Sequence, residues 1–235
     1  MTESTHKIVI AVDGPAASGK GTFAKTLAAR LGYAYLDTGS LYRTIAFATL
    51  QRGGDPTKLE DIKPVLGMIK FPLAPELLKN EGLRSPEVDE AVPKVSAISE
   101  VRAVVRQYQE AFRKNPPGNA AGVVFDGRDI ATVVCPDADV KFFVTAAPEE
   151  RARRRFEQQK AGNPGLTQEM VLKDINLRDQ QDSNHMTRVA ADINVLDTTK
   201  AKPDETLEKG LAIVKAKLSA NDNAARPKKK FGPKL

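Results

Sequence analysis

The sequence contains no tryptophan, a single cysteine (Cys135), and only 6% aromatic residues among its 235 positions. One cysteine cannot form an internal disulfide bond, which excludes a disulfide-stabilised secreted scaffold. No run of about 18 apolar residues occurs, so no transmembrane helix is predicted. The first residues, MTESTHKIVIAVDG, also lack the basic, apolar and small-residue regions of a signal peptide. We therefore expect a cytoplasmic protein without a membrane partner.

The charge is unevenly distributed along the chain. A net charge of +6 arises from 36 basic and 30 acidic residues, and residues 221–235 hold five of the basic residues and one acidic residue. The rest of the chain therefore has a net charge of only +2. We expect flexible ends at residues 1–6 and 220–235, because the last segment has almost no apolar residues. The alternative of a nucleic-acid-binding ATPase depends on this tail alone, so no stable nucleic-acid partner is expected.

Short β-branched runs alternate with helical periodicity, which predicts an α/β fold with a mainly parallel sheet and helices on both faces. The predicted strands are KIVIAV (7–12), AYL (34–36), GVVF (122–125), VKFFV (140–144) and INVL (193–196). The predicted helices cover residues 20–31, 42–52, 95–114, 148–160, 167–181 and 204–218.

The strongest motif lies between the first predicted strand and the first predicted helix. It consists of Asp13, Gly14, Pro15, Ala16, Ala17, Ser18, Gly19, Lys20, Gly21 and Thr22. Glycines let successive backbone N–H groups turn towards an anion, and the N-terminus of the helix adds partial positive charge. We predict that this phosphate loop binds ATP, and that Lys20 is a catalytic residue that bridges the β- and γ-phosphates.

The residue after the lysine departs from the usual form of this loop. Ser or Thr normally stands there and binds Mg²⁺ through its hydroxyl, but this chain has Gly21, followed by Thr22. We therefore expect no direct protein ligand for Mg²⁺, which would be bound by phosphate oxygens and water near Asp126. This favours a kinase that binds two nucleotides over a switch protein that needs a protein-bound metal.

Two polar clusters follow predicted strands and are candidates for binding a second, phosphorylated substrate. Thr38, Tyr42 and Arg43 follow the second strand, and Asp126, Arg128 and Asp129 follow the GVVF strand. Ligands of open α/β sheets bind beyond the carboxyl ends of the strands, so both clusters are expected to face the phosphate loop. Arginine binds phosphate through a planar pair of donors, so an acceptor with a phosphate ester is predicted.

Four segments occur in this order along the chain: LDTGSLYR, DGRDIATVVCPDADVKFF, EERARRR and RDQQDS. Because of these segments and their spacing, the chain resembles the bacterial cytidylate kinase family over residues 7–218. The resemblance implies a P-loop core (7–67 and 93–219), a small CMP-binding insert (68–92) and a lid (157–184). It implies a CMP site formed by Thr38, Tyr42, Arg43, Arg102, Arg128, Asp129, Arg178 and Asp182. It also implies that Arg151, Arg154 and Arg155 meet the ATP phosphates, with Lys20, Asp126, Arg128 and Arg154 as catalytic residues.

The chain departs from the family pattern in its insert at about 68–92, which is shorter than the common form and lacks a clear hairpin, and at two further places. The serine that the family uses near the base falls on Pro93, and Ser96 lies about one helical turn further on. After Asp182, the family usually has an arginine and a proline-leucine-lysine stretch, whereas this chain has His185 and a shorter connection with Arg188.

We therefore predict a monomeric kinase that transfers the γ-phosphoryl group of ATP, with Mg²⁺, to CMP or dCMP. A guanidinium can donate to O2 and N3 of cytosine and a carboxylate can accept from its amine, which would select cytosine over uracil. The alternatives are another small P-loop kinase acting on UMP, AMP or dTMP, and a nucleotide-dependent switch or binding protein. The sequence lacks the guanine-reading NKxD motif that the GTP-dependent form of such a switch protein would need.

Overall fold

The computed structural model describes residues 7–183 and 190–225, and these form an α/β fold around a parallel sheet. The strands are β1 (Ile8–Asp13), β2 (Ala34–Asp37), β3 (Gly122–Gly127), β4 (Val140–Thr145) and β5 (Ile193–Asp197). They lie in the order β2-β3-β1-β4-β5, and every neighbouring pair in this sheet is parallel. The strand that precedes the phosphate loop is therefore the central one.

The helices connect the strands and cover the sheet. They are α1 (Lys20–Leu31), α2 (Thr38–Gln51), α3 (Leu59–Leu66), α4 (Pro75–Lys79), α5 (Pro86–Ser96), α6 (Ser99–Lys114), α7 (Pro148–Gln159), α8 (Gln168–Asp182) and α9 (Pro203–Ala225). A π-helical turn at Ile130–Val134 and short 3₁₀ segments, including Glu81–Arg84, complete the connections. No helix of the described residues is both long and apolar enough to cross a membrane.

Alternate residues of β1 face opposite sides of the sheet, as the pleat of a strand requires. Val9 and Ala11 belong to a core cluster that α2, α5 and α6 cover. Ile10 and Val12 belong to a second cluster, formed with side chains of α1 and α9. Both faces are buried, which explains why the strands are apolar on both sides. The predicted fold class, a parallel sheet with helices on both faces, is confirmed.

The region between residues 59 and 98 differs from the prediction. The predicted helix 95–114 corresponds to α6, which begins at Ser99, while α3, α4 and α5 were not predicted. Prolines break the apolar period there, yet Pro86 is tolerated because it stands at the start of α5, where its missing N–H costs nothing. Ser85 caps that helix by accepting a hydrogen bond from the Val88 N–H at 3.4 Å.

The predicted insert and lid contain helices, and the predicted flexible C-terminal end is partly helical. The proposed insert at 68–92 contains α4, the 3₁₀ turn and the first part of α5, and the proposed lid at 157–184 contains α8. Helix α9 continues to Ala225, past the predicted end at residue 218 and into the segment predicted to be flexible. Ala220, Ala224 and Ala225 favour this extension. Residues 1–6, 184–189 and 226–235, including His185 and Arg188, lie outside the described residues.

Candidate active site

The phosphate loop joins the end of β1 to the start of α1, as predicted. Gly14 passes so close to β4 that a Cβ atom there would lie 2.0 Å from the Val144 carbonyl oxygen, so only glycine fits. Gly19 precedes α1 with φ of 86°, a left-handed conformation that glycine adopts without strain. No side chain caps this helix start, so its first N–H groups remain available for an anion.

Lys20 and Asp126 form a buried pair at the base of the loop. Lys20 Nζ lies 3.5 Å from Asp126 Oδ1, and the two side chains are 16% and 5% exposed. Burial lowers the pKa of Lys20, and the attraction of Asp126 opposes this shift. Burial likewise raises the pKa of Asp126, against the attraction of Lys20. The hydroxyl of Tyr35 donates to Asp126 Oδ2 at 3.3 Å, which fixes the carboxylate further.

Gly21 lies close to the same carboxylate. A Cβ atom at this position would lie 3.1 Å from Asp126 Oδ2, which is tighter than an ordinary contact. Ser or Thr directly after Lys20 would therefore crowd Asp126. Asp126 would have to shift by a few tenths of an ångström to admit such a residue.

Asp13 connects the phosphate loop to the segment after β3. Its side chain is fully buried and accepts hydrogen bonds from the N–H groups of Ile130 (2.9 Å) and Ala131 (2.8 Å). These N–H groups belong to the π-helical turn that directly follows Arg128 and Asp129. Asp13, predicted as part of the ATP site, thus sets the position of the predicted acceptor cluster relative to the loop.

Arg128 spans the gap between the phosphate loop and α8. Its Nη1 donates to the Gly14 carbonyl oxygen at 2.9 Å, and its Nε donates to Asp182 Oδ2 at 2.9 Å. The Arg128 side chain is 32% exposed, so part of it stays accessible to a ligand. The arrangement brings Arg128 and Asp182, predicted from separate segments, into direct contact.

The other predicted acceptor residues lie along the same edge of the sheet. Arg102 Nη2 donates to Asp129 Oδ2 at 3.0 Å. Tyr42 packs against the core, and burial raises the pKa of its hydroxyl, with Arg102 and Asp129 close enough to influence it. Thr38 donates from its hydroxyl to the Asp126 carbonyl oxygen at 2.7 Å, which ties the start of α2 to the end of β3.

Three further predicted arginines gather around Asp89, a residue of α5 that was not predicted as part of the site. Arg43 Nη2 lies 2.6 Å from Asp89 Oδ1, and Arg155 Nη2 lies 2.8 Å from Asp89 Oδ2. Arg178 Nη2 contacts the backbone oxygen of Asp89 at 3.5 Å. Arg43 and Arg178, predicted for the acceptor, therefore meet Arg155, predicted for ATP, at one residue.

The remaining arginines of α7 contact protein groups around the phosphate loop. Arg151 is buried and donates to the backbone oxygens of Ala146 (3.0 Å) and Ala16 (3.4 Å) and to Asp179 of α8. Arg154 donates to the Thr198 hydroxyl (3.0 Å), and that hydroxyl donates to the Ser18 carbonyl oxygen (2.7 Å). Both arginines thus support the loop, and their predicted contacts with ATP stay predictions.

The comparisons with known proteins agree on one family. A model described as cytidylate kinase matches residues 10–216. A cytidylate kinase from Rhodospirillum rubrum is 43% identical over 210 residues, covering 88% of this chain and 97% of that protein. One from Azorhizobium caulinodans is 44% identical over 210 residues, covering 88% and 98%. The chain belongs to the cytidylate kinase family.

A solved structure supports the fold of this cytidylate kinase family member. An uncharacterized protein from Eubacterium ventriosum has a TM-score of 0.52 at 14% sequence identity, covering 89% of this chain and 99% of that one. The similarity bears on the fold alone. The family resemblance seen in the sequence motifs is confirmed by the family model and the two relatives.

The cytidylate kinase family implies a divalent cation with the nucleotide, and the residues present fit one bound through water. Asp126 Oδ1 is buried and receives no hydrogen bond from any described residue, although Lys20 lies nearby. An oxygen of this kind at the phosphate loop suits a hydrated Mg²⁺ ion. Among residues 7–183 and 190–225, no three His, Cys, Asp or Glu side chains gather as a metal cluster.

Sequence reasoning missed two residues of this site in the cytidylate kinase family member. Thr198 directly follows β5, so the rule that ligands bind beyond the carboxyl ends of strands could have identified it. Asp89 lies inside a helix that the proline-interrupted sequence did not reveal, and no local signal identifies it.

Proposed function

We propose that this chain transfers the γ-phosphoryl group of ATP to CMP or dCMP, giving ADP and CDP or dCDP. ATP binds at the phosphate loop, and the acceptor binds at the arginine and aspartate side chains that face this loop. The activity follows from membership of the cytidylate kinase family. The roles of the individual residues are inferred from the geometry of the site. One observation carries it: Arg128 joins the phosphate loop at Gly14 to Asp182 of the acceptor set.

On the donor side, the N–H groups between Gly14 and Lys20 bind the phosphates of ATP, and Lys20 neutralises charge on the transferred group. Its burial supports this role, because a cation acts more strongly on a phosphate where water is excluded. Asp126 keeps Lys20 in place when no nucleotide is bound. Arg154, fixed between Glu150 and Thr198, adds positive charge at the edge of the loop.

On the acceptor side, Arg102 and Asp129 bind cytosine as a pair. The guanidinium donates to O2 and N3 while the carboxylate accepts from the exocyclic amine, a pattern that uracil cannot match because it has a carbonyl there. The 3.0 Å contact between these side chains supports the proposal, because it orients both groups before the base binds. Arg43, Arg128 and Arg178 bind the phosphate and ribose, with Tyr42, Thr38 and Asp182 beside them.

Mg²⁺ bound with ATP would be held by phosphate oxygens and by water next to Asp126, where it supplies charge neutralisation of the phosphates. The protein side chains provide positioning for an in-line transfer, and no covalent intermediate with the enzyme is needed. When both substrates are bound, closure of α5, α7 and α8 around the arginines would exclude water and so protect ATP from idle hydrolysis. Both proposed substrate sites are built from one chain, which supports a monomeric enzyme.

The test is product analysis with the purified chain. Incubation with ATP, MgCl₂ and CMP is expected to give equal amounts of ADP and CDP, separated by anion-exchange chromatography. Lys20→Ala is expected to give neither product, while Lys25→Ala, an exposed lysine on the same helix, retains activity. Release of inorganic phosphate without CDP would contradict the proposed function.

A further inference from the structure

Asp89 faces more positive charge than one carboxylate can neutralise. Arg43 of α2, Arg155 of α7 and Arg178 of α8 all contact this one residue of α5, at 2.6, 2.8 and 3.5 Å. The Asp89 side chain is 13% exposed, and those of Arg43 and Arg155 are each 20% exposed. The group has a formal charge of +2, from three guanidinium groups and one carboxylate, in a largely buried place.

The arginines show the electrostatic cost of this arrangement. Burial lowers the pKa of Arg155, and repulsion by Arg178 and Arg43 acts in the same direction, against the attraction of Asp89. Asp89 Oδ1 is buried, and no described donor makes a well-aligned hydrogen bond to it, despite the close Arg43 guanidinium. The single Asp89 carboxylate therefore does not neutralise the three guanidinium groups, and one of its oxygens is not well hydrogen-bonded by them.

Pro93 explains why the backbone of Asp89 also takes part. In a helix, the N–H of residue 93 would donate to the carbonyl oxygen of residue 89, but proline has no N–H. Pro93 lies inside α5, so the Asp89 oxygen lacks its helical partner and accepts the contact from Arg178 instead. The residue that replaces the family's serine thus contributes to the arginine cluster through its missing N–H.

A phosphate monoester matches this cluster better than a carboxylate does. It carries up to two negative charges and three terminal oxygens, and arginine binds such groups through paired donors. The cluster lies on the acceptor side, since Arg43 and Arg178 belong to the proposed CMP site.

We propose that the Asp89 carboxylate is an internal competitor for the acceptor's phosphate group, holding Arg43 and Arg155 until a nucleoside monophosphate displaces it. The proposal rests on the proposed function for the identity of the acceptor. Asp89 joins the insert helix α5 to α2 and α7, so its displacement also replaces a direct contact between these helices by one through the phosphate. Apparent acceptor affinity is then reduced by the fraction of enzyme in which Asp89 occupies the arginines.

Asp89→Asn tests this directly, because the amide has the same shape and keeps the backbone oxygen but removes the charge. If Asp89 occupies the arginines about 90% of the time, removing the competition strengthens acceptor binding about tenfold. KM for CMP, dCMP and UMP is expected to fall by the same factor, since all three share the phosphate, while kcat changes less than about twofold. Glu90→Gln, an exposed neighbour paired only with Lys94 among the described residues, is the matched control and leaves all three KM values unchanged.

Inorganic phosphate provides a readout that needs no turnover. With ADP present to fill the phosphate loop, phosphate is expected to bind Asp89→Asn more tightly than the wild type in calorimetry. It is also expected to raise the melting temperature of the variant more. Asp89→Ser is a second variant with the same expected direction, should the asparagine variant fold poorly.

Three outcomes contradict the proposal. An unchanged or higher KM for all acceptors would mean that Asp89 only supports the fold, and a change for CMP but not for UMP would mean that it reads the base. Unchanged phosphate affinity in both variants would contradict the internal competition even if KM fell. The two proposals can also fail separately. If the wild type makes no CDP but Asp89→Asn still binds phosphate more tightly than the wild type, the proposed function is contradicted and the internal competition is not.

Discussion

Arg128 donates a hydrogen bond to the carbonyl oxygen of Gly14 at 2.9 Å, which ties the proposed acceptor cluster to the phosphate loop. Arg128→Ala removes this link and a positive charge from the proposed phosphate site. We expect kcat/KM for CMP to fall about 10²-fold or more, as for other losses of charge stabilisation in active sites. Steady-state kinetics check this, with Arg113→Ala, whose guanidinium pairs with the exposed Asp137, as the control. Near wild-type CDP formation by Arg128→Ala would contradict the assigned role.

Gly21→Ser restores the hydroxyl residue that other P-loop proteins carry after the lysine, yet we expect it to lower activity. Its Cβ atom would lie 3.1 Å from Asp126 Oδ2 and displace the carboxylate that positions Lys20. A loss of about tenfold in kcat is expected, the size of a modest active-site displacement. Gly67→Ala is the control, because its Cβ atom would meet only the Pro64 oxygen at 3.8 Å. Higher activity of Gly21→Ser at low Mg²⁺ would show that the steric argument is wrong.

Asp13→Asn is expected to lower stability as well as activity. Each oxygen of the buried carboxylate accepts a hydrogen bond from one N–H group. In asparagine an NH₂ group replaces one of these oxygens, so one hydrogen bond is lost and two donors face each other. Hydrogen bonds to charged groups contribute about 1.5–3 kcal/mol each, so we expect a loss of about 2 kcal/mol or more. Urea unfolding measures it. Asp192→Asn, which weakens the pair between Lys141 and the exposed Asp192, should cost less than about 1 kcal/mol.

Cys135 is expected to be inert in the folded protein. It is 2% exposed, and burial raises the pKa of its thiol to about 11, so the reactive thiolate is scarce at pH 8. Iodoacetamide should therefore label it slowly in buffer and rapidly in denaturing urea, as mass spectrometry can follow. Equal labelling rates in both conditions would contradict the buried position.

The sheet and the phosphate loop could be predicted from the sequence because their signals are local. The strands are continuous β-branched runs, and the loop is a contiguous glycine motif between a strand and a helix. The closeness of the polar segments at Thr38 and Asp126 could be predicted because both follow strands of one parallel sheet, whose carboxyl ends share an edge. Their role in binding the acceptor stays a prediction.

Contacts between distant segments could not be predicted in the same way. Helix periodicity placed Arg151 and Arg155 on α7. It does not indicate that Arg151 faces the phosphate-loop backbone or that Arg155 faces α5. Helix α5 itself was hidden because Pro86 and Pro93 interrupt its apolar pattern. Asp89 acquires its role only when α2, α5, α7 and α8 are packed together, which no single segment encodes.

The central claim, phosphoryl transfer to a cytosine nucleotide, is tested most directly by comparing acceptors under one set of conditions. Initial rates with ATP and MgCl₂ are measured for CMP, dCMP, UMP, AMP and dTMP to give kcat/KM for each. CMP or dCMP is expected to exceed UMP by about 10²-fold or more, because the Arg102 and Asp129 pair would face an unpaired carbonyl in uracil. A kcat/KM for UMP, AMP or dTMP equal to or above that for both cytosine nucleotides would contradict the account.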